Sequence, residues 1–398
     1  VGPLEVLESR GFVQQCSHRD EVQTALGREQ VTFYIGFDPT ADSLHVGHLV
    51  QIMLMGHLQR MGHRAVALVG GGTSRVGDPS GKTDLRQMLS DEEIARNSEV
   101  FRRQLSSFLT LDGERGLLVD NADWLMELKY IPFLREIGRQ FSVNRMLAAE
   151  AYKMRLERGL SFIEFNYQIL QAYDFLQLFE RQGCRLQVGG DDQWGNIVAG
   201  VDLVRRMKSA EVWGLTTPLL TTASGAKMGK TAAGAVWLSP ERLSPFDYWQ
   251  YWYNTDDRDV GRFLRLFTFL PTDEIARLEA LHGAEIREAK RVLATEATTL
   301  AHGAEAAHAA ESGARAMVGA TAAEDLPTTA LPGPTRLPDA LVLAELVKSK
   351  SEARRLVQGG GVSIDGERVD DPEVTLAPAG AGLVVRIGKK RAVRFTLA

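Results

Sequence analysis

The sequence predicts an α/β fold in its first part, an all-α segment after it and a small α+β tail. Three observations carry this reading. Short β-branched apolar runs alternate with helical periodicity before residue 240, the next stretch has helical pattern only, and a Pro-rich polar segment then precedes a tail of mixed pattern. VTFYIGF (31–37) and HRAVALVGGG (63–72) suit buried parallel strands closed by Gly. Between them Leu49, Ile52, Met53, Leu58 and Met61 recur at helical spacing, with Asp42 or Ser43 to cap the start and Gly62 to end it. Strand, helix, strand is a right-handed βαβ unit, the building block of a Rossmann-like parallel sheet. Ser90 with Glu93 reads as a capping box opening a further helix, and Arg185–Gly189 as a third strand.

SPFDYWQYWYN, DDRDVGRFLRLFTFL, PTDEIARLEALHG and the Ala-rich stretch after them predict helices with no strand between them. GATAAEDLPTTALPGPT (319–335) is small, polar and rich in Pro, as a linker is. The tail then predicts two helices followed by GGGVSIDGERV and short strands around VTLA and GLVVRIGKKRAVRF. The expected division is 1–225, 226–318, a linker at 319–335 and a last domain at 336–398.

A chain of 398 residues has room for two or three folding units. Its formal charge of −5 disfavours a protein that coats nucleic acid, yet from Arg336 onward 11 Lys and Arg stand against 8 Asp and Glu. Cys16 and Cys184 are too few for a disulfide framework or a four-thiolate zinc site. The opening VGPLEVLESRG has no basic stretch leading into an apolar one, and no apolar run is long enough to span a membrane. A cytoplasmic setting with no membrane contact is expected.

Two motifs carry chemistry. DPTADSLHVGH (38–48) lies where strand gives way to helix, and free N–H groups at a helix start favour anions. His45 and His48 share one face of the first turn, and Gly47 removes a side chain so that a nucleotide can lie against the backbone. Taken alone, the two histidines read sooner as surface or cap residues. TTASGAKMGKTAAG (221–234) sets Lys227 and Lys230 three apart among small residues, a segment expected to be mobile and able to close over a polyphosphate. Taken alone, it reads sooner as a solvated loop.

Other motifs fail on counting. GGGTSRVGDPSGKT has Val76 where a P-loop needs its first Gly, and Arg75 breaks a dinucleotide fingerprint. His45 and His48 lack partners at zinc spacing, so no protein-bound metal is expected. No Gly-x-Ser-x-Gly elbow is present.

The two motifs together resemble those of the class I aminoacyl-tRNA synthetases, HVGH standing for HIGH and KMGKT for KMSKS. YIGFDPT (34–40), GDPSGK (77–82), NYQILQAYD (166–174) and QVGGDDQWGN (187–196) resemble the bacterial tyrosyl enzymes motif by motif, over essentially the whole chain. SKSEARRLVQGGGVSIDGERV resembles an S4-type RNA-binding module. The resemblance makes 1–225 a catalytic domain, 226–318 the KMGKT segment with an anticodon-side helical domain, and 336–398 an S4-like RNA-binding domain.

It also implies residue roles. Tyr34 and Asp174 hydrogen-bond the substrate phenol; Asp78, Tyr167 and Gln171 hold its ammonium; Gln193 lies near its carboxylate and Asp192 near the ribose of ATP. Gly36, Asp38, Thr40, His45, Gly47 and His48 line the nucleotide. Lys82, Arg86, Lys227, Lys230 and Thr231 grip pyrophosphate. From the residues alone, Asp38 also fits a turn or cap, and Tyr167 a core position. The implied partners are L-tyrosine, ATP as substrate with Mg2+, tRNA(Tyr) and a second copy of the chain, with no organic cofactor. Trp124, Leu125, Ile131, Phe133, Leu134, Phe141 and Met146 fit a dimer face or internal packing equally well. Gly229, at a serine of KMSKS, is expected to loosen its segment, and Asp191 has no evident role.

Overall fold

Thr32–Phe37 and Arg64–Val69 form the two central strands expected of the βαβ unit, parallel, with Tyr34 beside Val66. The computed structural model describes residues 2–80, 88–157, 159–226, 228–231, 234–320, 328–344, 346–365, 367–378, 382–388 and 391–397. The chain divides into two units, Val1–Ala310 and Glu311–Ala398.

In the first unit the strands are β1 (Gln15–Cys16), β2 (Thr32–Phe37), β3 (Arg64–Val69), β4 (Gly116–Asp120), β5 (Cys184–Gly190) and β6 (Trp213–Thr217). Their spatial order is β1-β6-β5-β2-β3-β4, all neighbours parallel except β1 with β6. Chain order reverses at β2, with β3 and β4 on one side and β5 and β6 on the other. Such a switch point opens a crevice outside the carboxyl ends of the strands, where open α/β sheets bind ligands. The third expected strand is β5. β4 and β6, unforeseen, lie in GLLVD and WGLTT, short runs recognisable only beside the strands they pair with.

The Val46–Arg60 helix starts at His45 rather than at Asp42 or Ser43. Ser43 is fully buried, donating to the Leu44 carbonyl and accepting from the Ser239 N–H, while Asp42 is paired with Arg242. The capping box at Ser90 is present, with the Glu93 N–H 3.2 Å from the Ser90 hydroxyl and the Ser90 N–H 2.8 Å from the Glu93 carboxylate. Pro245–Tyr253, Asp257–Phe267, Thr272–Glu279 and Ile286–His302 are helices, as the periodicity predicts, and bury Tyr248, Trp252, Phe263 and Phe267. They do not form a unit of their own beginning at 226. Arg10, in the N-terminal helix Pro3–Arg10, donates to the carbonyls of Arg265, Thr268 and Leu270. Gly56 sits so close to Phe269 that a Cβ would meet the ring at 2.7 Å.

After two short strands, β7 (Lys230–Thr231) and β8 (Gly234–Ala235), the remaining ones belong to the second unit. Here β9 (Thr328–Leu331), β10 (Thr335–Arg336), β11 (Val362–Ile364), β12 (Glu367–Arg368), β13 (Thr375–Leu376), β14 (Leu383–Ile387) and β15 (Arg391–Leu397) accompany helices Leu337–Leu343 and Lys350–Gln358. One sheet runs β12-β11-β14-β15-β9, and β10 pairs with β13. The core collects Leu331, Leu337, Leu341, Val357, Val385 and Phe395. The expected linker at 319–335 is therefore corrected. Its residues 328–331 are an edge strand running parallel to β15, held by the burial of Leu331, and the Ala304–Ala320 helix crosses the division between the units. Among the described residues no helix is long and apolar enough to cross a membrane.

Candidate active site

A cleft of about 400 Å³ opens at the switch point. Tyr34, Gly36, Asp38, Thr40, His45, Gly47, His48, Asp78, Tyr167, Gln171, Asp174, Asp192 and Gln193, all singled out in the sequence, line it together. Lys82, Arg86 and Lys227 lie outside the described residues. Lys230 and Thr231 are described as the backbone of β7.

The floor is built by β2 and by the Tyr167–Gln182 helix, whose Tyr167, Gln171 and Asp174 follow one another at four- and three-residue spacing along one face. Asp174 is fully buried, and burial pushes its carboxyl up to about 8. Two donors pull the other way: Trp124 Nε1 at 2.7 Å on Oδ1 and Asn121 Nδ2 at 2.9 Å on Oδ2. Nearby, the buried Tyr34 hydroxyl finds no hydrogen-bond partner among the described residues, and neither does Oε1 of Gln187 on β5. Buried polar atoms are normally satisfied, so orphans lining a cleft mark where a polar ligand group belongs.

From Asp174 the hydrogen bonds continue across the cleft. Asn121 Nδ2 also donates to Thr73 Oγ1 at 3.0 Å, and Thr73 Oγ1 donates to Asp38 Oδ1 at 2.7 Å. Tyr167, a buried residue that also lines the cleft, donates its hydroxyl proton to Asp38 Oδ2 at 2.7 Å. Gln193 Nε2 donates to Asp78 Oδ2 at 2.7 Å, and the Ser80 N–H reaches Asp78 Oδ1 at 2.9 Å. Sequence reasoning missed Thr73, Asn121 and Gln187, and left Trp124 open between a dimer face and internal packing. Trp124 is buried and donates into the site. Reading GLLVD as a strand supplies the missing signal, because Asn121 then falls at its carboxyl end.

The HVGH turn holds itself. His45 Nδ1 accepts the Gly47 N–H at 3.0 Å, His48 Nδ1 accepts the His45 N–H at 3.2 Å, and the rings lie 4.1 Å apart. With both Nδ1 atoms accepting, the proton of each neutral ring belongs on Nε2. A Cβ at Gly47 would strike the His45 ring at 2.6 Å. Gly229 of KMGKT docks on this turn. Its φ is +78°, and a Cβ there would fall 2.9 Å from the Gly47 nitrogen. The Val46 N–H donates to the Val236 carbonyl at 2.9 Å, and the Val236 N–H to the Gly229 carbonyl at 2.8 Å. Gly229 therefore fastens its segment, against the expectation that it loosens it.

Asp191 also gains an account. Its Oδ1 accepts from Gln15 Nε2 at 2.7 Å and Thr216 Oγ1 at 2.8 Å, tying β1 to the end of β6 behind the cleft. Of the seven apolar residues weighed for a dimer face, only Ile131 and Leu134 are exposed, and Trp124 and Met146 are buried.

Residues 26–319 match the family described as tRNA synthetases class I (W and Y), and residues 319–395 the tyrosine--tRNA ligase SYY-like C-terminal domain. The chain is 50% identical to the tyrosine--tRNA ligase of Clostridium botulinum over the full length of both. The chain belongs to the tyrosine--tRNA ligase family. It is also 52% identical to the tyrosine--tRNA ligase of Desulfosudis oleivorans, over 98% of this chain and 97% of that one. Among solved structures it is similar to a C-terminally truncated mitochondrial tyrosyl-tRNA synthetase of Aspergillus nidulans, with TM-score 0.72 and 32% identity over 79% of this chain and 94% of that one.

In a tyrosine--tRNA ligase the Gly229 contact sets an expectation. Gly229→Ala is expected to slow adenylate formation by about tenfold, because alanine at positive φ costs ~1–2 kcal/mol before the clash with Gly47 is counted. Tyrosine affinity is expected to hold. Single-turnover rates beside equilibrium tyrosine binding check both halves.

Proposed function

We propose that the cleft performs two successive displacements. In the first, the carboxylate of tyrosine attacks the α-phosphorus of ATP, forming tyrosyl-adenylate and expelling pyrophosphate. In the second, a ribose hydroxyl of the 3′-terminal adenosine of tRNA(Tyr) attacks the activated carbonyl, accepting the tyrosyl group and releasing AMP. The observation that carries the reading is the orphaned Tyr34 hydroxyl together with the buried Asp174 carboxyl, lining one cleft with the HVGH turn. A phenol entering there supplies a donor to Asp174 and a partner to Tyr34. Phenylalanine leaves the Tyr34 hydroxyl without a partner and brings Asp174 no further donor, which is how a polar pocket rejects an apolar analogue.

Neither step needs a nucleophile from the protein, and catalysis comes from placing reactants and charge. Asp78 and Gln171, with the Tyr167 hydroxyl turned to Asp38, suit the substrate ammonium; Gln193 lies beside Asp78 for the carboxylate. Thr40, His45 and His48 serve the phosphates, with Asp192 at the ribose. Lys82, Arg86, Lys227, Lys230 and Thr231 are assigned to pyrophosphate on the family motifs. Magnesium enters with ATP as part of the substrate.

The second unit is assigned to tRNA, and a homodimer is assigned to the first. Met126, Tyr130, Ile131, Leu134 and Val143, all exposed and close in sequence, support the dimer, and sedimentation velocity tests it. A cytoplasmic location is supported by the need to meet ATP and tRNA.

ATP–pyrophosphate exchange across the twenty amino acids tests the assignment: exchange is expected with tyrosine, and folded protein without it overturns the reading. A chain ending at Ala320, which leaves out the whole of the second sheet, is expected to keep exchange and lose tRNA charging. Loss of exchange as well would place the tail within the catalytic machinery.

A further inference from the structure

Asp259 is a carboxylate only 3% exposed, in the first turn of the Asp257–Phe267 helix, away from the lining of the catalytic cleft. Its helix is already capped by Asp256, which accepts the Arg258 N–H at 3.0 Å. The oxygens of Asp259 are spent elsewhere. Oδ2 accepts the Ala223 N–H at 2.7 Å, and Oδ1 accepts Arg262 Nη2 at 2.7 Å. The same Arg262 nitrogen donates to the Thr221 carbonyl. Carboxylate and guanidinium together hold the backbone at 221–223, immediately before KMGKT.

The path from there to Gly229 is short. A turn closes where the Gly225 N–H meets the Thr222 carbonyl at 2.8 Å and the Thr222 N–H meets the Ala226 carbonyl at 2.8 Å. Behind it lies a cavity of about 760 Å³ between Thr222, Ser224 and Ala226 on one wall and Asp247, Gln250 and Tyr251 on the other. With open space at its back, the segment is fastened among the described residues by the Asp259–Arg262 clamp at its start, by the Met228 N–H on the Leu220 carbonyl at 3.0 Å, and by Gly229 against Gly47 and Val236. The last of these adjoins Lys230.

We propose that Asp259 and Arg262 are positioning residues for the KMGKT segment, clamping its base so that the backbone of Gly229 and Lys230 stays on the HVGH turn. The inference rests on the assignment of Lys230 to the phosphates of ATP. The clamp touches no substrate. It acts because a misplacement of about 1 Å in a positioned group costs on the order of 100-fold in rate.

Asp259→Ala is expected to slow single-turnover tyrosyl-adenylate formation by about 10- to 100-fold and to speed hydrogen exchange in the peptide covering 221–231. Tyrosine affinity is expected to stay within about twofold, since nothing at the phenol end depends on the clamp. Asp259→Asn keeps an oxygen for the Ala223 N–H and is expected to recover part of the rate. An unchanged adenylate rate in both Asp259→Ala and Arg262→Ala overturns the proposal. So does a fall in tyrosine affinity that matches the fall in rate, which would make the pair a structural support of the whole unit. Should the wild-type chain form no tyrosyl-adenylate, the earlier assignment has failed. The clamp is then judged by exchange alone, and unaltered exchange at 221–231 in Asp259→Ala overturns it.

Discussion

Replacing Asp174 with asparagine is expected to lower kcat/KM for tyrosine by about 100- to 1000-fold while that for phenylalanine changes far less. Both Asp174 oxygens already accept protein donors, from Trp124 at 2.7 Å and Asn121 at 2.9 Å. Only the ionised carboxylate has lone pairs left for a phenol without a proton of its own in the way. An asparagine turns its NH₂ toward one of the two donors and loses the charge that makes the third bond strong. Steady-state kinetics with both amino acids checks it, and a preserved tyrosine preference would remove Asp174 from the specificity site.

The same residue predicts a pH dependence of defined sign. Burial holds the Asp174 carboxyl at about 8, against roughly 4 in an unfolded chain. The fold therefore retains a proton that the unfolded chain releases. The contribution of this group to stability is complete below pH ~4 and is lost as pH rises toward 8. Ligand preference runs the opposite way, because the carboxylate is the form that accepts the phenol. The tyrosine-to-phenylalanine ratio is expected to rise as pH passes through about 8, and the rise is expected to vanish in Asp174→Asn. A pH profile of the ratio decides this.

Lys230→Ala is expected to slow adenylate formation by about 100- to 1000-fold, the usual loss when one preorganised group aimed at developing charge is removed. Lys230 follows Gly229, whose backbone abuts the Gly47 nitrogen in the HVGH turn, and begins β7. That places its backbone beside the HVGH turn, the part of the cleft proposed for the nucleotide. Tyrosine affinity is therefore expected to hold. An equal loss in tyrosine binding would remove Lys230 from the phosphate assignment.

Much of the site was legible before any coordinates. β2, the Val46–Arg60 helix and β3 follow from period and turn residues, which act over a few neighbours along the chain. HVGH and KMGKT were recognisable together, as a family resemblance, although each alone reads sooner as surface residues or a solvated loop. Thr73, Asn121, Trp124 and Gln187 were not recognisable, since an Asn or Trp after an unrecognised strand carries no local mark of the carboxylate it will meet. The linker failed for a related reason: of residues 328–331 only Leu331 is buried, and its strand exists through β15, more than sixty residues later.

The sequence by itself therefore determined the β2–helix–β3 unit and the helices between 245 and 302, and its family resemblance pointed to thirteen of the residues that line the cleft. The elements depend on hydrogen bonds and periodicities that close within one helical turn or one strand. Only the tertiary structure decided that Gly229 fastens its segment instead of loosening it, that Asp191 ties β1 to β6, and that Asp259 and Arg262 clamp residues 221–223. Each is a contact between segments far apart in the chain, set by how helices and sheet close over one core. A carboxylate or a glycine looks the same in the sequence whether its partner is water or a backbone two hundred residues away.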